Sequence, residues 1–507
     1  MLAKILSVSN LQKYNILSLF RLYLDTCNFS TFAFKSAGMF SKVSRFSLIL
    51  SFIFTLIWVS SCRKNEKVDS NSALKLSFST DTVFFDTVFT TVGSVTRRLV
   101  VHNDNSNKVQ VSSIKLAGNN SVFSLNIDGT PAESVSNVEI AGHDSIFIFV
   151  KVTLNPNNQS NPLVITDSIL FETNGNLQKV ELVAWGQDAF FHKNVNLEGT
   201  NTWDSLKPHV IYGHLRVDTG GSLTISAGTK IYFHKSAYLA ISHQSSIDVQ
   251  GNLDHPVQFL GDRLDAFYRD LPGQWGGIFL EKGSHDNKIN YAIIKNGNTG
   301  LGIDTAIDVS TPMLLLDNTF IKNMAGNDIF AYATNILSTN CVLGDCAGSS
   351  LALYNGGSYD FRQMTVGNYW GSSVRLDSAI YISNYSYDTL GNKKYNPLIN
   401  AYFGNVIIYG ALEGEINLQG DAAVAFSYKF ENCLLKTHYN TGDQNHFASC
   451  ILNQDPVFFD VTKFDYEIDS ISPAIGHGST SIPVPQFDIS GNFRTSPPDI
   501  GAYQYVP

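Results

Sequence analysis

Within the 507-residue chain, Asp262-Arg263-Leu264-Asp265 and Arg269-Asp270 place three carboxylates and two guanidinium groups in one short stretch. Such a group could act as an acid and a base, or its carboxylates could hold Ca2+ as hard oxygen ligands. Mixed charge on a loop is also the ordinary composition of a solvated surface. His214, His234 and His255 stand 20 and 21 residues apart. A fold with a matching period would align their imidazoles for a metal ion. Asp254-His255-Pro256 reads as a turn, so no metal site is assigned. Cys341, Cys346, Cys433 and Cys450 lack the spacing of a zinc site; in an exported protein they allow three disulfide pairings. Cys341 and Cys433 also sit at apolar strand positions, where a buried thiol packs well.

The elements that must position these groups are short strands that repeat. Ala292-Ile293-Ile294-Lys295-Asn296 returns as Thr319 to Asn323, Cys341 to Asp345 and Met364 to Asn368, in steps of 27, 22 and 23 residues. Asn405 to Gly410 returns as Asn432 to Thr437. Strands this short cannot form an isolated sheet but suit stacked coils, each burying its apolar face against its neighbours. The recurring Asn296, Asn323, Asp345 and Asn368 fit sharp turns and a ladder of stacked amides.

Composition agrees. The chain has 34 Phe, 22 Tyr and 38 Gly, with 16% charged residues, and its apolar runs lack helical periodicity beyond the N-terminus, an all-β profile. Residues 1–61 carry six Lys or Arg and one Asp, which leaves 29 basic against 43 acidic residues, or −14. That balance, without a basic stripe, argues against nucleic acid as a partner.

Between about 74 and 190, strands at short spacing (83–88, 98–102, 109–116, 122–127, 145–152, 168–172 and 180–184) predict an immunoglobulin-like β-sandwich. Asn174-Gly175 marks a hairpin, and no cysteine between 63 and 340 supplies an inter-sheet disulfide. Phe84-Phe85-Asp86-Thr87-Val88-Phe89 with Gly93-Ser94 and Asn103-Asp104-Asn105 resembles the front modules of exported Bacteroidota lipoproteins, which implies a spacer, or else a binding platform. Over about 200–440, Leu223 to Phe259 followed by Gln274-Trp275-Gly276-Gly277-Ile278 resembles a right-handed parallel β-helix of the pectin-lyase-like class. In the closing segment, 441–507, Asp455-Pro456-Val457-Phe458, Ser472-Pro473-Ala474-Ile475 and Pro498-Asp499-Ile500-Gly501-Ala502-Tyr503 resemble the choice-of-anchor-type tail that ends many bacterial β-helix proteins. The expected role of that tail is a cap over the open end. Gly476-His477-Gly478 is similar to the GHG of polygalacturonases, but no paired-Asp motif accompanies it and it reads as coincidence.

Phe46 to Ser61 is a short, uncharged apolar run preceded by Lys42 and Arg45, the pattern of a secretory signal over 39–61. Val59-Ser60-Ser61-Cys62 resembles the bacterial lipobox, which implies lipidation of Cys62 and anchoring to a membrane, the outer membrane of the cell envelope. Residues 1–38 read as an upstream extension ahead of the true start at Met39, and 62–73 as a polar tether.

The sequence therefore predicts a membrane-anchored lipoprotein with a sandwich and a capped rod. The expected role is non-catalytic binding of glycans or envelope partners. The alternatives are a polysaccharide lyase or glycoside hydrolase of the pectin-lyase-like class, for which Asp262, Asp265, Arg269 and Asp270 are the candidates and Ca2+ the one cofactor implied, and a purely structural or adhesive rod. No catalytic residue is assigned.

Overall fold

The computed structural model describes residues 67–90, 93–155, 163–308, 310–439 and 442–507. The extension 1–38, the signal 39–61 and Cys62 lie outside the described residues. Val68 to Pro507 form one compact unit.

The first layer pair is a β-sandwich of two five-stranded sheets. One contains Arg97–Asn103, Asp144–Val152 and Phe123–Ile127; the other contains Thr82–Phe89, Asn176–Gln187, Leu163–Thr173, Val109–Leu116 and Ser134–Ile140. Alternation decides the faces. In Asp144–Val152, Ile146, Ile148, Val150 and Val152 enter the core while Phe147 and Phe149 face outward. Asn174 and Gly175 both have positive φ, 51° and 79°, and join the predicted hairpin. Ser134–Ile140 escapes a sequence reading because its SVSNVEI has little apolar signal on either face. The expected tether is shorter than 62–73. Val68 already bridges Lys108, and the Asn176 amide donates to the Ser72 carbonyl at 2.7 Å.

From Phe190–Leu197 to Ile451–Leu452, 26 strands among the described residues form one sheet wound as a right-handed parallel β-helix with three faces. The second face includes Tyr238–Ile241, Gly277–Leu280 and Ile380–Ser383, and the third Ser222–Ser226, Leu398–Gly404 and Lys429–Glu431. It extends past the expected 200–440 at both ends, because the first coil is polar and the last strands are only two residues long. Lys230–Phe233, Val257–Gly261, Ala292–Lys295, Phe320–Lys322, Val342–Gly344, Thr365–Asn368, Ile407–Gly410 and Leu434–Leu435 stack on the first face. Their register, Ile293↔Phe320, Phe320↔Val342 and Val342↔Thr365, reproduces the sequence steps of 27, 22 and 23. The step from Thr365 to Ile407 is longer because that coil carries a hairpin, Tyr385–Tyr387 with Lys393–Tyr395.

Inside the third face, identical side chains lie over one another. Phe361, Phe403, Phe430 and Phe447 stack with ring centroids 5.2, 4.7 and 5.3 Å apart.

The closing segment covers apolar surface, but on the flank of the rod. Tyr466 lies on the outward column of Gly344 and Gly367, where a Cβ on Gly367 would come within 2.6 Å of its ring. Ile468, Ala474 and Ile500 pack on Ile407 and Leu434. Arg494 donates to the Asn340 amide oxygen at 2.6 Å, and the Ala502 N–H donates to Thr365 Oγ1 at 3.0 Å. Several polar groups on this flank thus gain partners as the apolar surface is covered, although Arg494 Nε and Nη1 and Gln363 Oε1 are buried without one.

Removing one ring from the inner stack opens a void that its neighbours on adjacent coils cannot fill. Phe403→Ala is expected to lower stability by about 3–5 kcal/mol, read by urea unfolding of the folded chain. A loss below about 1 kcal/mol would mean that the coils collapse around the gap.

Candidate functional site

Outward side chains on the first face form columns, since successive coils are about 4.8 Å apart. One column runs Lys295, Lys322, Gly344, Gly367 and Tyr409. The closing segment fills the glycine part with Tyr466 and leaves the lysine part open. There Lys295, Lys322, Asn296 and Asn323 line a cavity of about 340 Å³, completed by Asp270 from one side and by Thr462, Lys463 and Phe464 from the other.

Three segments distant in sequence build this cavity. Asn296 and Asn323 turn out of the first face with φ of 67° and 60°. The Asn323 amide donates to the Asn296 side-chain oxygen at 2.8 Å, so the predicted ladder exists at these two coils. The same amides anchor the acidic loop: Asn296 donates to the Arg269 carbonyl at 2.8 Å and Asn323 to the Asp270 carbonyl at 2.9 Å. The ladder then breaks. Asp345 accepts from the Tyr369 N–H at 2.8 Å and from the Tyr466 hydroxyl, while the Asn368 amide donates to Cys346 Sγ and the Gly348 carbonyl.

The electrostatics of the cavity are uneven. Lys295 Nζ lies 3.3 Å from Asp270 and Lys463 2.9 Å from Asp460. Lys322 Nζ sits 5.3 Å from the centre of the Phe464 ring. Burial and then the neighbouring Lys295 lower the Lys322 pKa. Two ammonium groups in register on adjacent coils repel each other. An anion between them would relieve that repulsion.

The four loop candidates do not converge. Asp262 accepts from His234 at 2.7 Å, and burial raises its pKa. Asp265 is buried and lies 3.5 Å from Arg263 Nε, whose guanidinium stacks 3.7 Å over Tyr268. Only Asp270 reaches the cavity, and Arg269 contributes its carbonyl, 3.3 Å from Lys295 Nζ. The three histidines separate as well. His214 lies beside Tyr238 on the second face, ring centroids 6.1 Å apart, His234 follows the first-face strand Lys230–Phe233, and His255 occupies the predicted turn. Gly476-His477-Gly478 is a turn, with the Gly476 N–H donating to Asp499 at 2.7 Å. Among the described residues no group of three His, Cys, Asp or Glu side chains is placed to hold a metal ion.

Sequence reading missed the lysines. Lys295-Asn296 and Lys322-Asn323 were visible as a repeat, and the usable signal was that an outward strand residue recurring one coil later must stack on its copy. A second surface carries aromatic rings. Phe330, Tyr354 and Tyr381 stack along the second face at 5.2 and 4.5 Å, beside the exposed Tyr387 and Tyr395 of the hairpin.

Residues 195–313 match the model of the pectate-lyase-like β-helix domain. The match lies in the first half of the rod, and with the stacked parallel strands it makes the rod a parallel β-helix. No curated protein matches it. Among solved structures it is similar to a protein of unknown function from Porphyromonas gingivalis W83, at 12% identity and a TM-score of 0.18 over 25% of this chain and 58% of that one. A family 123 glycoside hydrolase from Clostridium perfringens is matched at 9% identity and a TM-score of 0.18 over 24% of this chain and 30% of that one. The chain therefore spans less than two thirds of either. The catalytic domain of a family 87 α-1,3-glucanase is matched at 11% identity and a TM-score of 0.18, over 66% of this chain and 80% of that one.

Asp345 ties the closing segment to the rod beside the cavity, and burial raises its pKa from 3.8 to about 6. A raised folded-state pKa means that folding favours the protonated acid, so this contribution is complete below about pH 4 and lost as pH rises through about 6. Wild type is expected to lose up to about 3 kcal/mol from this group across that window, and Asp345→Asn to remove that slope. Parallel stability curves for the two proteins between pH 4 and 7 would contradict the assignment.

Proposed function

We propose that this chain is an exported, lipid-anchored protein that binds acidic glycans at the Lys295–Lys322 cavity without cleaving them. The observation that carries this reading is the pair of ammonium groups stacked in register at the wall of an open cavity, with Lys463 above them. A carboxylate or sulfate on a sugar ring would accept charge-assisted hydrogen bonds from both, and Phe464 would offer an apolar face to the ring. The exposed Tyr387 and Tyr395 of the hairpin, beside the second face, would offer ring faces to uncharged sugars. The front sandwich, read as immunoglobulin-like, would act as a spacer from the membrane.

Binding of polygalacturonate and of a sulfated glycan should be measured by calorimetry beside a neutral glucan. Lys322→Gln or Lys295→Gln is expected to weaken binding of the acidic polymers by about tenfold, the loss of one charge-assisted hydrogen bond, with affinity falling as salt rises. Equal affinity for the neutral polymer, or no change in either variant, would overturn the proposal.

A lyase reading draws on one observation, the lowered pKa of Lys322. A lysine whose pKa is lowered by burial and a neighbouring cation is the kind of group that could take the proton next to a uronate carboxylate. New unsaturated ends in the same mixtures, lost in Lys322→Gln, would replace binding by β-elimination.

Anchoring rests on the lipobox resemblance at Cys62. Wild-type protein made in a Gram-negative host is expected to sediment with membranes and to yield a mature N-terminal peptide beginning at an acylated Cys62. Cys62→Ala should abolish acylation, and an unmodified wild-type Cys62 would remove the anchor from the proposal.

A further inference from the structure

From Tyr291 onward, each coil turns from its third face to its first through one residue, and the residue after it points into the core. Backbone hydrogen bonds place these inward residues in one column. The Thr365 N–H donates to the Cys341 carbonyl, the Ile407 N–H to Met364, the Leu434 N–H to Val406 and the Ile451 N–H to Cys433, the last at 2.8 Å. The column therefore reads Cys341, Met364, Val406, Cys433, Cys450. Cys433 and Cys450 are immediate neighbours in it, as the pairing Leu434↔Ile451 also requires. Cys341 stands three coils from Cys433, roughly 14 Å, and Cys346 follows the first-face strand at another corner.

We propose that Cys433 and Cys450 form a disulfide that bolts the last coil of the rod to the coil before it. Adjacent coils lie about 4.8 Å apart, inside the Cα separation of about 4.4–6.8 Å that a disulfide spans. Both side chains face the same interior: Cys433 is fully buried and Cys450 packs against the same core while remaining partly exposed. Each thiol is at present held by main-chain carbonyls, Cys433 by Phe403 at 3.3 Å and Cys450 by Phe430 at 3.5 Å. Burial raises the pKa of Cys433. Cys450, partly exposed where Cys433 is buried, is the sulfur that an oxidant reaches first.

The reaction is thiol–disulfide exchange with a small-molecule or protein disulfide. The Cys450 thiolate attacks one sulfur of the oxidant and releases the other as a thiolate. Cys433 then loses its proton and displaces the second oxidant thiolate from the mixed disulfide. Two protein thiols lose two protons and two electrons, and the oxidant disulfide becomes two thiols. This bond makes no use of the glycan cavity and stands or falls without it.

The test uses the folded full chain, incubated with oxidised glutathione, alkylated in denaturant and mapped by peptide mass spectrometry. The expected result is loss of the two alkylatable thiols Cys433 and Cys450, recovered as one cross-linked peptide pair that dithiothreitol separates. Cys341 and Cys346 should remain alkylatable after denaturation. Amide exchange of Phe447 to Leu452 should slow in the oxidised chain and return to its former rate on reduction. Any other cysteine pairing, or Cys433 and Cys450 both alkylated after native oxidation, would overturn the proposal. Because the mapping is done on unsubstituted protein, a folding defect in a variant cannot imitate either outcome.

Discussion

The rod depends on one backbone constraint: a single residue with positive φ at the corner between its third and first faces. Tyr291, Asn318, Asn340, Gln363, Asn405, Asn432 and Ser449 occupy this corner, with φ between 47° and 61°. The left-handed conformation costs an ordinary residue about 1–2 kcal/mol, and asparagine least among those with a Cβ. From Tyr291 to Asn432 each of these N–H groups donates to the coil that follows, as Asn318 does to the Thr339 carbonyl and Asn340 to Arg362, while the Ser449 N–H in the last coil donates to Gln444 Oε1 at 3.4 Å. The amides add a second ladder, Asn340 to Asn318 and Asn318 to Asn290, each at 2.8 Å. A one-residue corner leaves no slack, so the register of one coil dictates that of the next.

Strict register has chemical consequences, because whatever occupies one position is stacked on its successor. Inward, that rule makes the phenylalanine stack and places Cys433 against Cys450. Outward, it places Lys295 against Lys322 at some electrostatic cost, and Gly344 against Gly367 as a shallow bed. Like-on-like stacking is favourable for rings and amides and unfavourable for charges. In this column Lys295 has Asp270 as its partner, while Lys322 is left with the repulsion of its neighbour.

The closing segment converts the bed and the charged pair into a cavity. Tyr466 needs the missing side chains at Gly344 and Gly367, and its hydroxyl needs Asp345. Once it is seated, Lys463 and Phe464 overhang Lys322, while the Arg269–Asp270 loop, held by Asn296 and Asn323, forms the opposite wall. The site thus belongs to no one segment, and loosening either wall would open it.

What the sequence determined by itself was what short-range periodicity encodes. Alternation marked the sandwich strands, Asn174-Gly175 marked the hairpin, and the 27-, 22- and 23-residue steps marked the stacking register. The ladder at Asn296 and Asn323 was legible for the same reason; its failure at Asp345 was not, because the competing partner, Tyr466, is 121 residues away. The acidic loop drew attention by charge density, yet its carboxylates are divided among His234, Arg263 and Lys295, a choice made by which face each strand presents. The tertiary structure alone decided where the closing segment lies, which lysines line a cavity and which cysteines are neighbours. Each is a contact between residues far apart in sequence, and no local pattern carries information about such a meeting until the coils have stacked.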